Sequence, residues 1–168
     1  MRRRLLLLSV FGVLALALAP LTQANNGNKP VREFNPDQGE GIVEGGCAFP
    51  VFVHIEGPEI VTHFSTRDRS VLKVIAITPG NTWTLTNVEN GKSVTVDNTS
   101  SYHEEDYPDG TFAVKVVGEG VWFGNPLTLE PGFWYQKGQI SGVFNPDGTP
   151  ISTKGTGSFV NLCPRLAD

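Results

Sequence analysis

The chain holds one methionine and two cysteines in 168 residues, and past its N-terminal stretch it has no long apolar run. Each shortage excludes something. A membrane-spanning helix takes about 20 apolar residues, and no later segment supplies them. The cysteines show no Cys-x-x-Cys spacing, so a redox pair is not indicated. Signatures of nucleophile, zinc and nucleotide chemistry are missing too. There is no Gly-x-Ser-x-Gly, His-Glu-x-x-His, phosphate loop or dinucleotide fingerprint. No pattern joins a Ser to a His and an Asp, and no cofactor is expected. Charged residues make up 18% against 39% hydrophobic, which is too apolar for a disordered chain and enough for a core. The single Met stands beside 19 Gly and 12 Pro, a profile of many turns and few long helices.

What is present first is a leader. Arg2, Arg3 and Arg4 precede an uncharged apolar run from Leu5 to Leu18. Pro20 breaks the run, and Thr22-Gln23-Ala24 offers small residues where a signal peptidase reads. That grammar predicts a signal peptide over 1–24, cleaved after Ala24, and a secreted, extracellular chain. No Cys sits at the cleavage region, so a lipid anchor is not indicated. Losing Arg2, Arg3 and Arg4 leaves 10 basic against 17 acidic residues, about −7. Such a surface repels phosphate backbones and anionic lipid, so neither nucleic acid nor, after leader removal, a membrane is an expected partner.

In an exported chain, Cys47 and Cys163 are most simply a disulfide. They bracket nearly all the patterned sequence. Closing so long a loop stabilises a fold by ~4–5 kcal/mol on the chain-entropy argument.

Residues 25–46 are rich in Asn, Gly, Pro and Glu without an apolar period. They predict a flexible lead-in with a short strand near Ile42-Val43. From Cys47 the pattern becomes strand, turn, strand. Segments 47–56, 59–65, 71–77, 82–88 and 92–97 alternate or are β-branched. So do 101–107, 111–117, 121–123, 133–144 and 151–162. Gly57-Pro58, Pro79-Gly80, Asn90-Gly91, Pro108-Asp109-Gly110 and Pro146-Asp147-Gly148 supply turns. No window shows a helical period. The expectation is all-β: one antiparallel domain over 47–168, of about eight to ten strands, as a barrel or a sandwich. A barrel is preferred, because a Cys47–Cys163 bridge would staple the first strand to the last and hide both edges.

Three segments carry a resemblance: Cys47-Ala48-Phe49-Pro50-Val51, the run from Pro79 to Asn87, and Asn90-Gly91-Lys92-Ser93-Val94-Thr95. With the leader, they resemble small, uncharacterised, secreted β-rich proteins of actinobacteria. The resemblance implies a fold and carries no catalytic residues. The strand count is similar, by architecture alone, to lipocalin-like and allene-oxide-cyclase-like barrels.

Four constellations hold chemistry. A two-residue turn at Gly57-Pro58 would set His54 opposite Val61 and Phe52 opposite His63. His54 and His63 would then lie diagonally on one face, with Glu56 and Glu59, as metal-ligand candidates. A solvent-facing hairpin explains the same residues. In Tyr102-His103-Glu104-Glu105-Asp106-Tyr107, pairing Tyr107 with Thr111 sets Asp106 opposite Phe112, Glu104 opposite Val114 and Tyr102 opposite Val116. Tyr102, Glu104 and Asp106 would then point inward as acid/base candidates. A one-residue slip sends them to solvent, as on a charged edge strand. Trp83, Trp122, Phe123, Phe133, Trp134 and Tyr135 either line a pocket for an apolar ligand or fill the core. Thr82, Thr84, Thr86, Ser93 and Thr95 form a hydroxyl face that ordinary strand propensity also explains. Asn98-Thr99-Ser100 fits the glycosylation sequon.

The leading expectation is a secreted, non-enzymatic binding domain. Its partner is a small apolar ligand or an extracellular macromolecule. One alternative is a barrel enzyme of lyase, cyclase or isomerase type using Tyr102, Glu104 and Asp106. Another is a structural extracellular protein, which predicts an exposed apolar patch on the Phe133-Trp134-Tyr135 strand.

Overall fold

The computed structural model describes residues 29–36, 39–65 and 72–167. The expected leader, 1–24, lies outside them. In chain order the elements are β1 (Val31–Asn35), β2 (Gly39–Val43), β3 (Val51–Glu56), β4 (Glu59–Ser65), β5 (Leu72–Ile77) and β6 (Thr82–Asn87). There follow β7 (Ser93–Asp97), β8 (Ser100–Asp106), β9 (Phe112–Phe123), β10 (Phe133–Phe144), β11 (Pro150–Asn161) and α1 (Cys163–Ala167). They make a seven-stranded antiparallel sheet, β1-β4-β5-β8-β9-β10-β11, and a four-stranded one, β2-β3-β6-β7. The chain is all-β, as its alternation predicts.

The two sheets are linked at a corner. β1 with β4 and β2 with β3 keep one register: Val31 faces His63, Asn35 faces Glu59, Gly39 faces Ile55 and Val43 faces Val51. Glu56 faces Thr82, but four residues on, Ile60 faces Ile77, five residues back. The extra residue sits in the Thr78–Asn81 stretch, where Pro79-Gly80 turns, and acts as a bulge that bends the pair. On the far side the same mismatch recurs: Thr82 faces Asp97, and Ile77, five residues back, faces Ser101, four residues on.

The preferred barrel is corrected here. Among the described residues β11 pairs only with β10 and β1 only with β4, so no closed barrel forms and the two-sheet alternative fits. The physical reason lies at the corner. β8 pairs with β9, but beyond Ser100 the ladder gives way to a side chain. Glu119 N still donates to Thr99 O, and then Val121 N donates to the Asn98 side-chain oxygen at 3.2 Å. From there β7 pairs with β6 alone.

The lead-in is corrected in part: the short strand near Ile42-Val43 forms as β2, and a second strand, β1, precedes it. β1 is exposed along its whole length and β2 almost so. Their backbones pair while their side chains bury almost nothing, so no apolar period betrays them.

The core lies between the four-stranded sheet and the ends of the long strands. Val51, Val53, Ile55 and Leu85 meet Phe133, Leu162 and Leu166, all 6% exposed or less. Burying a ring such as Phe133 is worth roughly 1.5–3 kcal/mol. α1, unforeseen in the sequence because five residues are too few to show a period, plugs this core with Leu166. The Asn161 side-chain oxygen caps it by accepting from Cys163 N at 2.9 Å, and Asn87 Nδ2 donates to Leu166 O at 3.0 Å.

The Cys47–Cys163 disulfide is present, with Cα atoms 5.5 Å apart. It joins the β2–β3 loop to the start of α1, not the first strand to the last. It seals the core's end and closes no ladder.

Gly118, Gly138 and Gly157 form one row across β9, β10 and β11, with φ of +117°, +137° and +112°. A Cβ at Gly138 would overlap the Thr156 carbonyl, so the backbone here leaves no room for a side chain.

Candidate functional site

The histidine pair comes apart. β3 and β4 are consecutive but do not pair with each other: β3 lies between β2 and β6, β4 between β1 and β5. The two-residue hairpin is therefore corrected, because Gly57-Pro58 sits on the corner where the chain changes sheet. His54 faces Glu40 and Thr84; His63 faces Val31 and Val74. His54 instead joins two carboxylates, with Nδ1 3.1 Å from Glu40 and Nε2 3.3 Å from Glu56. Among the described residues no three His, Cys, Asp or Glu side chains converge as a metal site would need.

The acidic strand takes the register that points it inward. Tyr102 faces Val116, Glu104 faces Val114 and Asp106 faces Phe112. Cross-strand partners share a face, and this face buries Val61, Val114, Val116 and Ile140. All three polar side chains are half-buried. The Tyr102 hydroxyl donates to Glu104. Burial holds the Glu104 carboxyl above the ordinary carboxylate range; the Tyr102 hydrogen bond opposes this and Asp106 reinforces it. Burial, then Glu104, pushes the Tyr102 phenol up. The trio is a polar cluster on a packed face.

The aromatics split between two roles. Trp83, Phe133 and Tyr135 pack into or against the core. Phe123 is 40% exposed and meets Phe133 edge-on, with ring centroids 5.5 Å apart. Trp122 and Trp134 face each other across β9 and β10, and Trp122 Nε1 donates to the fully buried Gln136 at 2.6 Å. Phe133 is 1% exposed, while Trp134 and Tyr135 are half-buried. The hydroxyl face is a solvent-side ladder, with Thr84 bonded to Thr95 at 2.9 Å and Thr86 to Ser93 at 2.8 Å.

The concave site lies elsewhere. A cleft of about 640 Å³ opens on the other face of the long sheet, over β5, β8, β9, β10 and β11. Ala113, Val117 and Val143 supply apolar walls, and Lys73, Lys115 and Lys154 a basic rim. One cross-strand row runs His103, Lys115, Ser141, Lys154. Neighbouring strands are about 4.8 Å apart, so the two lysines flank Ser141 within about 10 Å. Lys73 Nζ is 2.9 Å from Glu105, which balances its charge. The Ser141 hydroxyl is buried and without a hydrogen-bond partner. His103 Nε2 lies 2.8 Å from Ser101 Oγ; burial, then Lys73 and Lys115, hold its pKa below the imidazole norm.

Sequence reasoning missed this site. Lys115 sits in an alternating strand where a polar residue reads as solvent-facing, and Lys154 sits in a polar run. Only the cross-strand register brings them to Ser141. Comparison with known protein families, with curated proteins and with solved structures finds no match for this chain.

Proposed function

We propose that this chain is exported and acts as a non-enzymatic binding domain, holding a small ligand in the cleft over β8, β9, β10 and β11. The observation that carries the reading is the cleft itself: about 640 Å³, with apolar walls and a few converging polar groups. That is the size and chemistry of small-molecule sites. The disulfide supports an oxidising compartment, and the N-terminal Arg-Leu grammar supports a leader. Native mass spectrometry of protein purified gently from the medium tests it. A reproducible excess mass that is lost on denaturation is the expected result; a bare chain of mature mass would count against a carrier.

A second reading is the enzyme of lyase, cyclase or isomerase type. The inward, raised Glu104 beside Tyr102 and Asp106 favours it. Against it, the cleft opens on the opposite face of the same strands. A screen of small epoxide and enone substrates in which Glu104→Gln leaves all turnover intact would remove this reading.

A further inference from the structure

We infer that the cleft takes an amphipathic carboxylate. Its anionic head sits between the Lys115 and Lys154 ammonium groups on the Ser141 hydroxyl, and its apolar body lies over Ala113 and Val143. This rests on the cleft being the binding site proposed above.

Charge is the first ground. The mature chain has 10 basic residues against 17 acidic ones, and three of the ten stand around this one cleft. Lys73 is balanced by Glu105. Among the described residues no carboxylate lies in ion-pair reach of Lys115 or Lys154. Two positive groups left without counter-ions on adjacent sides of one hydroxyl are complementary to an anion and repel a cation.

The second ground is the orphan hydroxyl. Buried polar atoms are nearly always hydrogen-bonded, and Ser141 Oγ is not. The hydroxyl is covered as it stands, so a ligand oxygen placed between the lysines accepts that hydrogen bond once the covering side chains move aside. Ammonium groups on a carboxylate add charge-assisted bonds, which are the strong kind.

The third ground is the apolar neighbourhood. Ala113 and Val143 face each other one step along the strands from Lys115 and Ser141, and Val117 lies one step the other way. Inorganic phosphate would leave these side chains uncovered. A neutral sugar would leave the lysines unused. A carboxylate with a hydrocarbon body uses both.

The test is a titration of the isotopically labelled mature chain with octanoate, octanol and inorganic phosphate, followed by amide shifts of residues 113–117 and 139–143. Octanoate is expected to bind at least about tenfold tighter than octanol. The Lys115→Gln/Lys154→Gln double variant, which changes only rim side chains, should erase that gap. Ser141→Ala should weaken octanoate about fivefold and leave octanol unchanged. Octanol binding as well as octanoate, or a gap that survives the double variant, overturns the anionic head. Phosphate matching octanoate overturns the apolar body. If no probe binds but the native mass shows a ligand, this inference fails and the binding reading stands. If the native mass is bare as well, both fail.

Discussion

Asn98 Nδ2 donates to Asn81 Oδ1 at 2.9 Å, at the corner where the two sheets part. Asn81 is fully buried, its Nδ2 donates to Gly57 O at 3.3 Å, and its carbonyl accepts from Asn98 N at 2.8 Å. Asn98 Oδ1 takes the Val121 amide. Two side-chain amides thus bond to each other and serve two backbone groups, Gly57 O and Val121 N, which the ladders abandon when the strands bend. Bending a sheet strands polar groups in the interior, and each must find a substitute partner. The same bond occupies the Asn98 side-chain nitrogen that a glycan would use.

Asn81→Ala should therefore destabilise the fold by about 2–3 kcal/mol, since it leaves the Asn98 amide and the Gly57 carbonyl buried without partners. Asn98→Ala should cost a similar amount. Because both remove one shared bond, the double variant should cost less than the two singles together. Urea unfolding monitored by tryptophan fluorescence reads this. Strict additivity would mean that the two amides are not coupled.

Gly138 makes a sharper prediction. Its φ of +137° and its contact with the Thr156 carbonyl leave no room for a methyl group. Gly138→Ala should cost more than about 2 kcal/mol, whereas Gly91→Ala, where a Cβ meets open space, should cost about 1 kcal/mol from its φ of +75° alone. Equal unfolding midpoints for the two variants would show that the row tolerates a side chain.

Much of this fold is readable in the sequence, and what is not has a physical cause. Most segments with alternating or β-branched residues are strands within a residue or two, but the one expected over 47–56 begins only at Val51, and 111–117 and 121–123 are one strand, β9. The Pro-Asp-Gly turns also form as read: Asp109 and Asp147 each accept from the amide two residues on, at 2.9 Å. That turn chemistry fixes the register that turns Glu104 inward. Pairing across Gly57-Pro58 fails because a short Gly-Pro link reads the same whether it closes a hairpin or carries a strand from one sheet into another. The Asn90-Gly91 hairpin is longer than its dipeptide suggests, with Asn87 N bonded to Lys92 O at 2.8 Å around the intervening residues. β1 escapes notice because only its backbone matters, and of β2 only the Ile42-Val43 end shows in the sequence. The cleft escapes because it is a property of five strands in register and of no single one.

His54 offers a test of the exposed face. Its hydrogen bond to Glu56 raises its pKa above the ordinary imidazole value; slight desolvation opposes this and Glu40 adds to the rise. A raised imidazole favours the folded state below its unfolded pKa, near 6.5, and that contribution fades as pH rises through the folded value. Proton NMR of the ring should show His54 titrating above His103, whose pKa is lowered. Glu56→Gln should bring His54 back toward the ordinary value. A His54 that titrates below His103 would rule out the two-carboxylate clamp.

Glu104 reverses the usual sign for a carboxylate. Most paired acids are depressed on folding and lend stability above their unfolded pKa. Burial raises Glu104 instead, so the folded chain binds this proton more tightly than the unfolded one. Its contribution is therefore most favourable below the ordinary carboxylate pKa and is lost as pH rises toward the folded value. Glu104→Gln keeps the size and a hydrogen-bonding partner for Tyr102 but removes the charge, so it should be at least as stable as the parent at pH 7 and lose that advantage at pH 4. Tyr102→Phe removes the bond that holds the Glu104 pKa down, so Glu104 should titrate higher still, and in this variant the loss of stability with rising pH should extend to higher pH than in the parent. Unfolding free energies measured from pH 4 to pH 8 decide this. A Glu104→Gln variant that is less stable at pH 7 than at pH 4, relative to the parent, would mean that the carboxylate is stabilised as an anion, against the upward shift that burial imposes.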